Sequence, residues 1–216
     1  MKQTLYYNTV NHQLLSTLKK LMDSPVFNSF RLVGGTALSL QLGHRESIDI
    51  DLFTDENYGT IDFDIIDNYF KSNFVFVETS PSRVVGMGKP YYIGDDDKNF
   101  VKVDLFYTDA FIRSVVETDG IRLAHIEDII AMKIDVIQRQ GRKKDFWDIH
   151  ELMSDYSIEK MISLHEERYP YSHDKEAILS NFTLFQKADE ENNPMCLRGK
   201  YWEIIKFDFI QALQNK

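Results

Sequence analysis

Ile48-Asp49-Ile50-Asp51-Leu52-Phe53, reached from Gly34-Gly35-Thr36-Ala37-Leu38 through His44-Arg45-Glu46-Ser47, sets a glycine turn, a short helix and an acid-bearing strand close together in the chain. A strand alternates its side chains, so Asp49 and Asp51 share one face while Ile48, Ile50 and Leu52 take the other, toward a core. Two carboxylates side by side repel unless a cation lies between them. Mg²⁺, with Mn²⁺ as its substitute, suits such a pair, because it takes hard oxygen ligands and shares its coordination with substrate phosphates. The stretch reads as a metal-dependent phosphate site.

Such a site calls for a third carboxylate on a neighbouring rigid element. Val101-Lys102-Val103-Asp104-Leu105-Phe106 supplies it, with Val101, Val103 and Leu105 on the core face and Lys102 and Asp104 on the other. If the two strands are neighbours, Asp104 completes a triad with Asp49 and Asp51.

Around these strands the periodicity predicts a helix over 8–22, a short strand over 30–33, a brief helix over 36–42 stopped by Gly43, and a helix over 60–71. Strands are predicted over 74–78, 83–93 and 100–107, the last two joined by a turn over 94–99. From residue 126 the pattern becomes helical, over 126–138, 144–153, 157–167, 174–185 and 200–213. The expected fold is α+β: a mixed-sheet core with flanking helices over 1–120 and a helical C-terminal lobe over 121–216.

The 216 residues are 43% hydrophobic, with 15 Phe and 11 Tyr against 10 Gly and 5 Pro, which excludes a linker-like or disordered chain. No stretch has the apolar length of a signal peptide or membrane helix, so a cytoplasmic protein without a membrane partner is expected. The single cysteine, Cys196, excludes an internal disulfide framework and reads as a structural thiol. A net charge of −9 makes the whole surface no lure for nucleic acid, leaving the local cluster Arg139, Arg142, Lys143 and Lys144 as the basic patch, or as an ordinary solvated turn between helices.

The G-G-T-A-L, H-R-x-S-x-D-I-D-L-F and V-D-L-F segments resemble the nucleotidyltransferases of the polymerase-beta-like superfamily, most closely the AbiEii/AbiGii-type toxin group of bacterial toxin–antitoxin and phage-defence loci. Lys133-Ile134-Asp135, continuing through Arg139-Gln140-Gly141-Arg142-Lys143-Lys144-Asp145-Phe146-Trp147-Asp148, resembles the second signature of that group. The resemblance implies transfer of a nucleoside monophosphate from a nucleoside triphosphate, with pyrophosphate leaving. It implies that Asp49, Asp51 and Asp104 hold the metals, with Asp104 also helping to deprotonate the attacking hydroxyl. Gly34 and Gly35 would let the backbone approach the triphosphate, and the N–H groups at the start of the Thr36 helix would face its oxygens. Lys133 would stabilise triphosphate charge, and Asp148 would orient Lys133 or meet the nucleotide. Ser47 would cap its loop or touch phosphate, Arg45 would neutralise Asp49 and Asp51 or meet the nucleotide, and Lys144 would take either a site role or a helix-surface one.

An RNA end, such as that of a transfer RNA, is the acceptor by family analogy, and a cognate antitoxin encoded nearby is the expected partner. A small-molecule acceptor, as in antibiotic nucleotidyltransferases, and a non-catalytic nucleotide-binding module are the alternatives. Other motifs fail on inspection. Asp95-x-Asp97-x-Asn99 lacks the glycine and the glutamate of a calcium loop, no His-Glu-x-x-His pair exists, and Gly35 opens no phosphate loop.

Overall fold

The computed structural model describes residues 4–79 and 86–214. After a 3₁₀ turn at Tyr7–Thr9 comes α1 (His12–Met22), capped by Asn11, whose side chain accepts from the Leu14 amide at 2.8 Å. β1 (Arg31–Leu32) leads into α2 (Gly34–Leu42), which ends where Gly43 turns left-handed at φ +70°. Then follow β2 (Asp49–Thr54), α3 (Phe63–Asn73), β3 (Phe76–Thr79), β4 (Gly88–Gly94), β5 (Phe100–Tyr107), β6 (Val116–Thr118) and β7 (Ile121–Leu123). The chain closes with α4 (Ile126–Gln138), α5 (Lys143–Leu152), α6 (Ile158–Arg168), α7 (Lys175–Asn181), α8 (Gln186–Asp189) and α9 (Trp202–Gln214).

The fold is α+β, built on a 7-stranded mixed sheet in the order β3-β4-β5-β2-β1-β7-β6. Two of its pairings are parallel, β2 with β5 and β1 with β7, and the rest are antiparallel. Ile50, Leu52, Val103 and Leu105 are fully buried on one face, which α1 and α3 cover, with Phe70 of α3 packed 4.5 Å from the ring of Tyr91 on β4. Burying such side chains contributes about 1.5–3 kcal/mol each. The opposite face carries Asp49, Asp51 and Asp104 and lies under α4 and the start of α5. Behind it, Phe146 of α5 packs edge-on against Phe185, Trp202 and Phe209, joining α5 to α9.

Several elements differ from expectation. The first helix starts at His12, because Asn11 caps it, and the one expected from residue 60 starts at Phe63, where Asp62 accepts from the amides of Asp64 and Ile65. Gly34 and Gly35 form the first turn of α2 instead of a turn before it. The strand expected over 83–93 begins at Gly88, and residues 83–85 lie outside the described residues. The helix expected over 174–185 breaks after Asn181, with α8 resuming at Gln186. The hairpin β6–β7 was not expected at all. Its strands are three residues each, too short to show alternation, and β7 is drawn in by pairing with β1. Among the described residues no helix is long and apolar enough to cross a membrane.

Candidate active site

Parallel pairing of β2 with β5 sets Asp51 directly opposite Asp104, and Asp49 opposite Lys102. The three acids expected from the sequence are therefore brought onto one sheet surface, where they help to line a hollow of about 250 Å³. Gly34 sits over this surface at φ +67°, and a Cβ there would stand 2.5 Å from Asp51 Oδ2. Only glycine allows both that backbone conformation and the approach of the carboxylate. Burial, then the charges of Asp104 and Asp49, push the Asp51 carboxyl up to about 6.

Lys102 answers part of this negative charge, with its amino group 2.5 Å from Asp104 Oδ2. The other oxygen, Asp104 Oδ1, is buried and has no hydrogen-bond partner. Among the described residues no three acids or histidines close into a metal shell, and Lys102 rests on one oxygen of Asp104. The donor set nonetheless fits a hard divalent cation. It consists of carboxylate oxygens, one lacks any partner, and the Asp51 charge is disfavoured until a cation arrives.

Beneath the hollow lies a buried ionic network. Asp148, with no exposed surface, accepts from Arg45 through Nε (2.6 Å) and Nη2 (2.8 Å), contacts His44 Nε2 at 2.9 Å and pairs with Lys133 at 2.7 Å. Lys133 also donates to Asp145 at 2.6 Å. Burial alone would raise the Asp148 carboxyl, but Lys133 and Arg45 outweigh it and hold the group well below the usual carboxylate range. Burial likewise works to lower the Lys133 amine, and Asp145 and Asp148 more than reverse that.

This network corrects several expectations. Arg45 hydrogen-bonds to Asp148 and not to Asp49 or Asp51, although its charge still bears on Asp49. Asp148 has no exposed surface and pairs with Lys133. Lys133 lines the hollow with its ammonium held between Asp145 and Asp148, and its charge also reaches Asp51. Gly35 belongs to the same unit, because a Cβ there would collide with Arg45 Nη2. The Thr36 hydroxyl is buried, hydrogen-bonded to Ser47 Oγ at 2.8 Å and to the Asp49 carbonyl, so it ties the loop to the start of α2, while Ser47 itself is only half-buried.

The remaining cations sit at the start of α5. Arg142 precedes the helix and donates to Asp145 Oδ2 from its backbone amide at 3.2 Å and from Nε at 3.0 Å. Lys144 lines the hollow, half-buried, and among the described residues it makes no ion pair or side-chain hydrogen bond. Burial, then Arg142 and Lys133, lower its pKa. No side chain caps α2, so the amides of its first turn, which precede the first bond from Ala37 to the Val33 carbonyl, are unclaimed by side chains. Asp145, Lys102, Arg142 and His44 were not singled out as site residues. The i, i+3 spacing of Asp145 and Asp148 on one helix face was the available signal for the first of them.

Known proteins share the sequence pattern and the fold of this chain. The family model described as "Nucleotidyl transferase AbiEii toxin, Type IV TA system" matches residues 16–214. A protein of Aquifex aeolicus is 28% identical over 209 residues, spanning 92% of this chain and 93% of that protein. The fold is similar to that of JHP933 from Helicobacter pylori, at 22% identity and a TM-score of 0.57, covering 94% of this chain and 88% of that one. It is also similar to the nucleotidyltransferase toxin MenT4 from Mycobacterium tuberculosis, at 13% identity and a TM-score of 0.53, covering 92% and 80%.

Proposed function

The chain belongs to the AbiEii nucleotidyltransferase toxin family, and from that premise we propose that it transfers a nucleoside monophosphate from a nucleoside triphosphate to an acceptor hydroxyl at Asp49, Asp51 and Asp104. The observation that carries the reading is the pairing of Asp51 with Asp104 beneath the left-handed Gly34, with Asp104 Oδ1 buried and unpartnered. Asp49, Asp51 and Asp104 would hold Mg²⁺ or Mn²⁺, which when bound neutralises triphosphate charge and polarises the transferring phosphoryl group.

The chain's own residues supply the rest. The open first-turn amides of α2 face anionic oxygens at the helix's positive end. Lys144, uncommitted elsewhere, pairs with the triphosphate. Lys133, Arg45 and Asp148 act one layer down, fixing the first turn of α2 that carries Gly35 and the helices that carry the cations. Asp104 accepts the proton of the attacking hydroxyl.

The acceptor we propose is an RNA end, transfer RNA among the candidates. The description of the family as a toxin of a type IV toxin–antitoxin system supports it, as does the basic turn Arg139, Arg142 and Lys144 at the rim of the cleft. The same description supports a cognate antitoxin encoded nearby. The test is incubation with each labelled triphosphate, cellular RNA and Mg²⁺, followed by locating the label. Label on RNA is expected. Label on small molecules alone would replace the acceptor, and no metal-dependent label anywhere would overturn the site.

A further inference from the structure

The cleft does not end at the acids. Phe53, Met132 and Val136 line both the hollow above Asp49, Asp51 and Asp104 and a second hollow of about 430 Å³ toward the C-terminal end of α4. The two ends differ in chemistry. The first carries Lys144 and Arg142; the second is walled by the rings of Tyr58, Tyr107 and Tyr169 and rimmed by the carboxylates of Glu56 and Asp109, while Arg139 there is already paired with Asp135. Among the described residues neither carboxylate has an ion pair or a side-chain hydrogen bond, and both are exposed. Unpaired acids repel phosphate oxygens, so a nucleotide lying along the cleft has one favourable direction, phosphates toward Lys144 and base toward the tyrosines.

The second end has what a base needs. Tyr58 is 64% exposed and leans on Tyr107 at 5.3 Å between ring centres, leaving aromatic surface in the hollow for stacking. Tyr107 is held by its hydroxyl, which accepts from the Ile61 amide at 2.7 Å, so the ring beneath Tyr58 is fixed. A carboxylate only accepts hydrogen bonds, and an exocyclic amino group offers it two N–H donors, whereas the uracil edge sets two carbonyls around a single N–H.

We propose that this second hollow is the nucleobase subsite of the donor triphosphate, stacking the base on Tyr58 and favouring bases with an exocyclic amino group through Glu56 and Asp109. The proposal rests on Asp49, Asp51 and Asp104 being the phosphate-transfer centre. The experiment is calorimetric titration in Mg²⁺ of the wild-type protein, Tyr58→Ala and the double variant Glu56→Gln, Asp109→Asn, with ATP, CTP, GTP, UTP and inorganic tripolyphosphate. The wild type should bind the amino-bearing nucleotides about tenfold tighter than tripolyphosphate, the worth of one stacked base, and about fivefold tighter than UTP, the worth of one hydrogen bond. Tyr58→Ala should erase the first difference and the double variant the second, each leaving tripolyphosphate affinity unchanged. Nucleotide affinities equal to that of tripolyphosphate in the wild type, or unaltered in Tyr58→Ala, would overturn the subsite while the phosphate centre stands. Failure of tripolyphosphate itself to bind would remove that centre and the proposal with it.

Discussion

Asp51 and Asp104 are register partners across the parallel strands β2 and β5, so two carboxylates separated by half the core sequence face each other on one surface. Their repulsion is offset in part by Lys102, which reaches Asp104 but makes no contact with Asp51.

Replacing Asp51 or Asp104 by Asn should lower nucleotide transfer by about 10²–10³-fold, the scale of losing one preorganised electrostatic contact, while the fold survives. Thermal unfolding beside the transfer assay checks this. Variants that melt far below the wild type would make the acids structural.

The Asp51 carboxyl, raised to about 6, makes the metal-free protein pH-sensitive. A folded-state value above the unfolded one means that the folded protein binds the extra proton, so stability falls as pH rises from about 4 to about 6. The full loss is roughly 2–3 kcal/mol. Divalent cation should restore the melting temperature above pH 6, and Asp51→Asn should flatten the profile.

Lys133→Ala and Lys144→Ala should separate cleanly. The first removes the cation shared by buried Asp145 and Asp148, which keep Arg142 and Arg45, and should cost about 3 kcal/mol of stability. The second should leave the melting temperature unchanged and weaken triphosphate binding about tenfold, in keeping with a lost charge-assisted contact. Chemical denaturation and calorimetry read the two effects.

Lys102→Met removes the cation already resting on Asp104. Mn²⁺ should then bind severalfold more tightly, because no ammonium has to be displaced, and titration followed by electron paramagnetic resonance measures it. Weaker binding would show that Lys102 helps to assemble the site.

Gly34→Ala forces a left-handed alanine and sets its Cβ against Asp51 Oδ2. The backbone strain costs about 1–2 kcal/mol. Transfer should fall far more than that destabilisation explains, because the carboxylate itself is pushed aside. Matched stability and activity losses would argue against the close approach mattering.

Period-two alternation made β2 and β5 legible, since Ile50, Leu52, Val103 and Leu105 are buried while the acids between them are not. Their adjacency was an inference from chemistry, and the register was invisible. The partner of Arg45 was equally hidden. Asp145 read as an ordinary charge near a helix start and Asp148 as a partner of Lys133 or of the nucleotide, and only the packing of α4, α5 and the loop after α2 makes them buried anchors. The β6–β7 hairpin is short and depends on a parallel contact with β1 across most of the core sequence, which no local pattern announces.

Arg45, Asp148 and Gly35 are locked into one another: the guanidinium lies where a Cβ on residue 35 would be, and its charge is met by a carboxylate with no access to water. None of the three can drift alone. Losing the arginine leaves the acid to Lys133 and His44, losing the acid strands the arginine, and a Cβ on residue 35 presses on the guanidinium. Lineages that descend from this chain should therefore either keep all three unchanged or replace them together, passing through an intermediate that folds poorly, so that this corner of the molecule ages more slowly than the catalytic acids alone would require.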